Sequence, residues 1–149
     1  MKSLVRWGLK LGALGVVTVT GLMIATYVVT NSRMARFWDL NPETPTVPTD
    51  SASVAWGKHV AESRGCTDCH GENLGGKLFL EAGPVATLYS TNLTTGVGGV
   101  GKLYDDQNWI RAIRHGIALD GRGLLFMPSH EYYFLSDRDV STLVAYLKT

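Results

Sequence analysis

Cysteine is scarce in this chain of 149 residues, which has only Cys66 and Cys69. A structural zinc site takes four ligands, usually from two Cys/His pairs, and so is short of donors here. A thioredoxin-like redox pair would open a helix within a βαβ pattern, and no such pattern surrounds these cysteines. An excess of either charge is also missing: the net charge of +1 gives no footprint for a nucleic-acid partner. Proline is sparse, and three of the five prolines (Pro42, Pro45 and Pro48) fall in one short stretch. Glycine is plentiful, yet the run Gly96-Val97-Gly98-Gly99-Val100-Gly101 lacks the preceding strand, the Lys-Ser/Thr pair and the spacing of a phosphate-binding loop.

What the two cysteines do form is Cys66-Thr67-Asp68-Cys69-His70, the attachment sequence for a covalently bound c-type haem. Two thiols three residues apart lie on one side of a helical turn, where each can add across a vinyl group to form a thioether. The adjacent His70 then offers an unprotonated ring nitrogen to the iron as the proximal ligand. With both thiols consumed by one haem, neither is left to report the redox compartment through a disulfide.

The N-terminal part reads as a membrane segment. Residues 1–10 are basic, with Lys2, Arg6 and Lys10, and residues 11–32 contain no charge. A helix over 11–30 is about 30 Å long, the thickness of a hydrocarbon core. A cleaved signal has a shorter apolar run and a small-x-small site, whereas the residues two before Ala25 and Ala35 are Met23 and Arg33. An uncleaved anchor is therefore expected. Gly8 and Gly12 form a small-xxx-small pair, common enough in such spans to carry no contact. Residues 33–50 follow, with Phe37 and Trp38 suited to the lipid headgroups. Next comes a proline-rich linker that reads as an extended spacer reaching up to roughly 30 Å from the membrane. The alternative is a strap packed across the following domain.

Residues 51–149 carry nine basic and ten acidic side chains and form the soluble domain. A helix is expected over 54–63, capped by Asp50, Ser51 or Ser53, with Gly57 and Ala61 making a small face for a close helix partner. That partner is the C-terminal helix, where Ser136 and Asp139 make a capping box before Val140, Leu143, Val144 and Leu147. A third helix, capped by Asp105 or Asp106, runs through Ile110, Ile113 and Ile117, with Gly116 as a breaker near its end. Residues 71–102 show no sustained period and read as irregular loop serving a site.

The distal iron position needs a sixth ligand. Met1, Met23 and Met34 precede the linker, so Met127 is the one thioether in the domain. Pro128 stiffens the loop that presents its sulfur. His59 falls on the first helix near its close-packed face or the edge of that face, His115 sits in the last turn of its helix, where a surface imidazole is common, and His130, three residues after Met127, is the rival ligand.

Gly65-Cys66-Thr67-Asp68-Cys69-His70, Met127-Pro128 and the closing Leu135-to-Lys148 helix together resemble class I cytochromes c. Thr91-Asn92-Leu93-Thr94, Trp109-Ile110-Arg111-Ala112-Ile113-Arg114-His115-Gly116 and Asp120-Gly121-Arg122 are similar to the cytochrome c subunits of membrane-bound dehydrogenases. The resemblance covers residues 54–148. It implies an all-α class I cytochrome c domain with one covalent haem c, preceded by a single transmembrane helix and the proline-rich linker. Cys66, Cys69, His70 and Met127 bind the cofactor, with His70 and Met127 on the metal. The terminal helices cross near the haem beside Gly57 and Tyr146, and Arg111, Arg114 or Trp109 meets the propionates.

The activity implied is one-electron transfer, without catalysis and without a small-molecule substrate, in a respiratory or related chain. Its partners are membrane-bound redox donors and acceptors and the bilayer itself, with no nucleic acid. The location implied is the bacterial inner membrane, single-pass, with the haem domain on the periplasmic side, the side where c-type haem is attached. An alternative is the electron-accepting subunit of a stable dehydrogenase or oxidase complex. A haem peroxidase or gas sensor would need an open distal site. The dehydrogenase subunits often carry several haems, and this chain has one binding motif.

Overall fold

The computed structural model describes residues 2–149; Met1, and the side chains of Lys2 and Leu4, lie outside the described residues. The chain divides into two compact units, Met1–Phe37 and Trp38–Thr149.

The first unit is one helix, α1, Lys2–Met34. It begins earlier than the charge pattern suggests, because Arg6 and Lys10 are good helix formers and no breaker separates them from the apolar run. Apolar residues occupy every side of it, and every described side chain is exposed. An all-round apolar helix needs an apolar surrounding. The stretch Val5–Met34, 30 residues, is long and apolar enough to cross a membrane. Two of its hydroxyls are satisfied within the helix: Thr18 Oγ1 donates to the Leu14 carbonyl at 2.9 Å and Ser32 Oγ to the Val29 carbonyl at 2.8 Å. A side chain that bonds its own backbone needs no water, which suits hydrocarbon. A Cβ added at Gly8 or Gly12 would meet nothing.

The second unit is built around helices joined by long irregular segments. Its first helix, α2, is Ser51–Ser63, and of the three expected caps it uses Asp50, whose carboxylate accepts from the Ser53 amide at 2.9 Å. The last helix, α6, is Asp137–Leu147, capped by Ser136. These two cross closely, as the small face on α2 requires. Gly57 and Ala61 are both buried, and a Cβ built on Gly57 would stand 1.9 Å from the Thr142 carbonyl oxygen. Only glycine permits that approach. Trp56 Nε1–H also donates across the pair to Asp139 at 2.9 Å.

Val60, Ala61, Val140, Leu143, Val144 and Leu147 from this crossing form the core with Trp109, Ile110 and Ile113 of the third major helix. That helix, Asp106–His115, is capped by the Asp105 carboxylate, which accepts from the Asn108 amide at 2.7 Å. Gly116 ends it in the left-handed conformation, φ 63°. Ile117 therefore lies past the helix, buried and paired with Gly123 in an isolated antiparallel bridge.

Two features depart from the sequence-based expectations. Within the stretch read as irregular loop, β1 (Leu78–Glu81) and β2 (Thr87–Tyr89) form an antiparallel two-stranded sheet. An all-α description therefore omits a hairpin. All of β1 is exposed, so neither face is selected and Leu78-Phe79-Leu80 shows no alternation to read. The other departure is the linker. Pro42, Pro45, Val47 and Pro48 are half-buried, and Val47 packs against the core. The Trp38 amide donates to the Gly121 carbonyl at 2.8 Å, and Gln107 Nε2 to the Pro42 carbonyl at 3.4 Å. Residues 38–48 are laid along the domain as a strap; they do not extend from it as a spacer.

Candidate haem site

Cys66–His70 folds into one helical turn, α3, entered through Gly65 and left through Gly71, both at positive φ (75° and 83°). The turn places both thiols and the imidazole in one short segment. All three residues are half-buried, and the cysteines are free thiols, not a disulfide. Burial pushes the Cys66 thiol up to about 11, so it stays protonated at neutral pH.

His70 is the best-defined member. Its Nδ1 lies 2.8 Å from the Thr91 carbonyl oxygen. A carbonyl can only accept, so Nδ1 carries the proton and Nε2 keeps its lone pair. Burial lowers the pKa of the ring and outweighs the opposing effect of the Thr91 bond, which favours the neutral imidazole that a metal requires. A histidine with one nitrogen tied to a backbone carbonyl and the other free is the arrangement that proteins use to aim a ligand.

The glycine-rich segment explains how Thr91 comes to be there. Leu93 N–H donates to the Leu74 carbonyl at 2.8 Å, and Gly76 N–H to the His70 carbonyl at 2.8 Å. Residues 91–94 are then wrapped by the following loop: Val100 N–H donates to the Asn92 carbonyl at 3.0 Å, and a Cβ at Gly99 would stand 2.0 Å from the Thr94 carbonyl oxygen. The run that fails as a phosphate loop thus lets backbone pass against backbone and hold the carbonyl on His70.

Met127 is half-buried and packs against the same core as Cys66. It lies between the Ile117–Gly123 bridge and a short helix, α5 (Ser129–Tyr132), whose N-cap is Pro128. Tyr132, four residues after Pro128 on the next helical turn, donates its hydroxyl to the Arg64 carbonyl at 3.0 Å. This bond ties the Met127 segment to the residue two before Cys66, a link with no motif to announce it. The rival ligand His130 turns its side chain outward, 81 % exposed, with its ring 3.9 Å from the Glu131 carboxylate. His59 lies tilted against Trp56 at the surface, with ring centroids 5.2 Å apart, and His115 meets Tyr133 edge to face.

Leu78, Phe79 and Leu80 of the hairpin are exposed, as are Leu125 and Phe126 beside Met127. The rings of Phe79 and Phe126 sit 6.2 Å apart, which joins the two segments. An apolar macrocycle is the kind of group such surfaces fit. Of the residues expected at its propionates, Arg111 spends its terminal nitrogen on Asn108 and the Ala118 and Leu119 carbonyls, and Arg114 on the Leu135 carbonyl and Asp137. Each thus links segments of the fold through Nη2, while its Nε is a buried donor with no partner among the described residues. Trp109 Nε1 is a buried donor with no partner among the described residues.

A family model described as cytochrome c matches residues 54–149. The chain belongs to the cytochrome c family. Members carry covalently bound haem c, and Cys66, Cys69 and His70 fit its attachment motif. Over 116 residues this cytochrome is 36 % identical to the fructose dehydrogenase cytochrome subunit of Gluconobacter japonicus, covering 70 % of this chain and 24 % of that one. It is 38 % identical over 106 residues to the gluconate 2-dehydrogenase cytochrome c subunit of Pantoea cypripedii, covering 65 % and 23 %. With the alcohol dehydrogenase (quinone) cytochrome c subunit of Gluconacetobacter polyoxogenes it shares 36 % over 107 residues, covering 68 % and 22 %. The chain thus spans about a quarter of the length of these relatives.

Proposed function

We propose that this cytochrome is the electron-accepting haem subunit of a membrane dehydrogenase complex, and that it carries no catalytic site of its own. The observation that carries this reading is the run of relatives that are themselves cytochrome subunits of dehydrogenases, with organic substrates that differ from one to the next. What they have in common is the task of removing electrons. Haem c supplies a reversible one-electron change at its iron. The rest is done by the chain: Cys66 and Cys69 hold the group by thioether bonds, and Thr91 orients His70 so that Nε2 meets the metal. Met127 provides the sixth ligand through a sulfur that favours the ferrous state and leaves no open position for a substrate.

In this reading residues 1–10 are a basic N-terminal segment, 11–32 the membrane span, 33–50 the interfacial and proline-rich segment, and 51–149 the haem domain on the periplasmic side of a bacterial inner membrane. The helix Val5–Met34 supports the span. A membrane-tethered carrier that serves several partners is the second reading, favoured by the single haem-attachment motif.

Solubilising native membranes in mild detergent and isolating the tagged chain tests the choice. Recovery with a dehydrogenase at fixed stoichiometry, and reduction of the haem when that enzyme's substrate is added, is the expected result. Recovery of the cytochrome alone, still reducible by several membrane donors, favours the free carrier. Met127→Ala is expected to lower the reduction potential and let ferrous protein bind carbon monoxide rapidly. If the unaltered protein already binds carbon monoxide rapidly at neutral pH, Met127 is not a stable ligand and a gas-binding or peroxidase role gains the ground.

A further inference from the structure

We propose that residues 38–48 form a positioning strap for the loop that presents Met127, so that the linker takes part in setting the iron's distal side. The proposal rests on the reading of Met127 as the sixth ligand.

The strap touches both ends of one continuous piece of chain. At the start of the third major helix, Gln107 donates to the Pro42 carbonyl at 3.4 Å, and Thr44 lines a shallow groove with Asp105, Asp106, Gln107 and Lys148. Between its ends Val47 packs into the core. Past the end of that helix, the Trp38 amide donates to the Gly121 carbonyl at 2.8 Å.

Gly121 lies on the returning limb of a tight turn centred on Asp120. Ala118 N–H donates to the Arg122 carbonyl at 2.8 Å, and Gly121 N–H to the Ala118 carbonyl at 3.0 Å. The domain side holds the same turn through Arg111, which donates to the Ala118 and Leu119 carbonyls, and through the Tyr104 hydroxyl, which accepts from Leu119 N–H at 3.1 Å. The returning limb bonds Ile117 to Gly123 and Leu124 N–H to the Gly116 carbonyl at 2.6 Å, and Met127 follows three residues later. Arg111 and Tyr104 grip the outgoing limb of the turn, Ala118 and Leu119, while Trp38 grips the returning limb at Gly121. Without the strap the returning limb at Gly121 rests on the turn's own bonds, and a turn held on one limb transmits its motion along the other to the ligand it leads to.

The test uses the full-length, haem-loaded protein in detergent. Trp38→Pro removes the donor, and Trp38→Phe keeps it. Amide exchange of residues 117–126 is expected to be about five-fold faster in Trp38→Pro, the ratio given by loss of one ordinary hydrogen bond. Carbon monoxide should enter ferrous Trp38→Pro faster by a similar factor, and Trp38→Phe should match wild type in both. Unchanged exchange in Trp38→Pro overturns the proposal, as does equal acceleration throughout α2 and α6, which would mean general loosening. Equal effects of Trp38→Phe overturn the role of the amide.

If Trp38→Pro fails to accumulate, wild type decides. Its Trp38 amide must be protected as well as residues 117–126, and exchange at the free-chain rate overturns the strap. Met127→Ala separates the two readings. If it leaves carbon monoxide entry unchanged, the ligand assignment falls, and faster exchange in Trp38→Pro supports only the hold on the turn. If Met127→Ala opens the iron and Trp38→Pro does not, the ligand stands and the strap is overturned as its support.

Discussion

At Tyr132 burial and a hydrogen bond act on one hydroxyl. Burial, the larger cause, followed by the charges of Cys66 and Cys69, pushes its pKa from 10.0 up to about 12, while the O–H donates to the Arg64 carbonyl. A value raised on folding means that the folded chain holds the proton more tightly. The stabilisation is therefore complete below pH 10 and is lost as the pH rises toward 12. Thioether formation removes the thiolate contribution and leaves burial to set the lag. A tyrosinate titration should show one phenol ionising late in wild type and missing from Tyr132→Phe. The same variant should lose about 1 kcal/mol of stability in denaturant, since the Arg64 carbonyl is left without its donor. At this scale the attachment residues were legible, because Cys66, Cys69 and His70 announce themselves by type and spacing. The Thr91 carbonyl was not: every residue has a carbonyl, so only the fold says which one meets an imidazole.

Among the elements, the α2–α6 crossing is the most exposed to a single change. Gly57→Ala gains roughly 1 kcal/mol of helix propensity. It also puts a methyl group 1.9 Å from the Thr142 carbonyl oxygen, a backbone atom that cannot step aside. Forcing two packed helices apart costs about 3 kcal/mol and so outweighs the gain. Guanidinium denaturation followed by far-ultraviolet dichroism should show the loss, and an unchanged midpoint would mean that the crossing is looser than described. Ser136→Ala tests the cap of α6, whose hydroxyl accepts from the Asp139 amide at 3.1 Å, with an expected loss of about 1 kcal/mol in the same measurement. Helices with side-chain caps and a buried stripe could be read directly from residues. The hairpin could not, since its strands bury no face, and the end of the helix before Ile117 was overrun because an apolar residue at helical spacing looks alike inside a helix and in a buried bridge.

For the molecule as a whole, the nine basic and ten acidic side chains of residues 51–149 leave little net field to steer a partner. Association with a redox partner should therefore change little with added salt, unlike encounters guided by opposed charge. A rate of haem reduction that falls steeply between low and physiological ionic strength would show that local charge patches govern docking. The resting place of the linker was visible in composition only as two possibilities, because prolines suit an extended chain whether or not it lies on a surface, and the contact of Val47 with the core decides between them. The carbonyl that holds His70 has one more consequence. A peptide oxygen has no proton to surrender and no appetite for one at physiological acidity, so the ring it grips takes up none when an electron arrives. In the proposed role the midpoint potential should then stay level across neutral pH, and electrons would be handed on without drawing on a proton gradient.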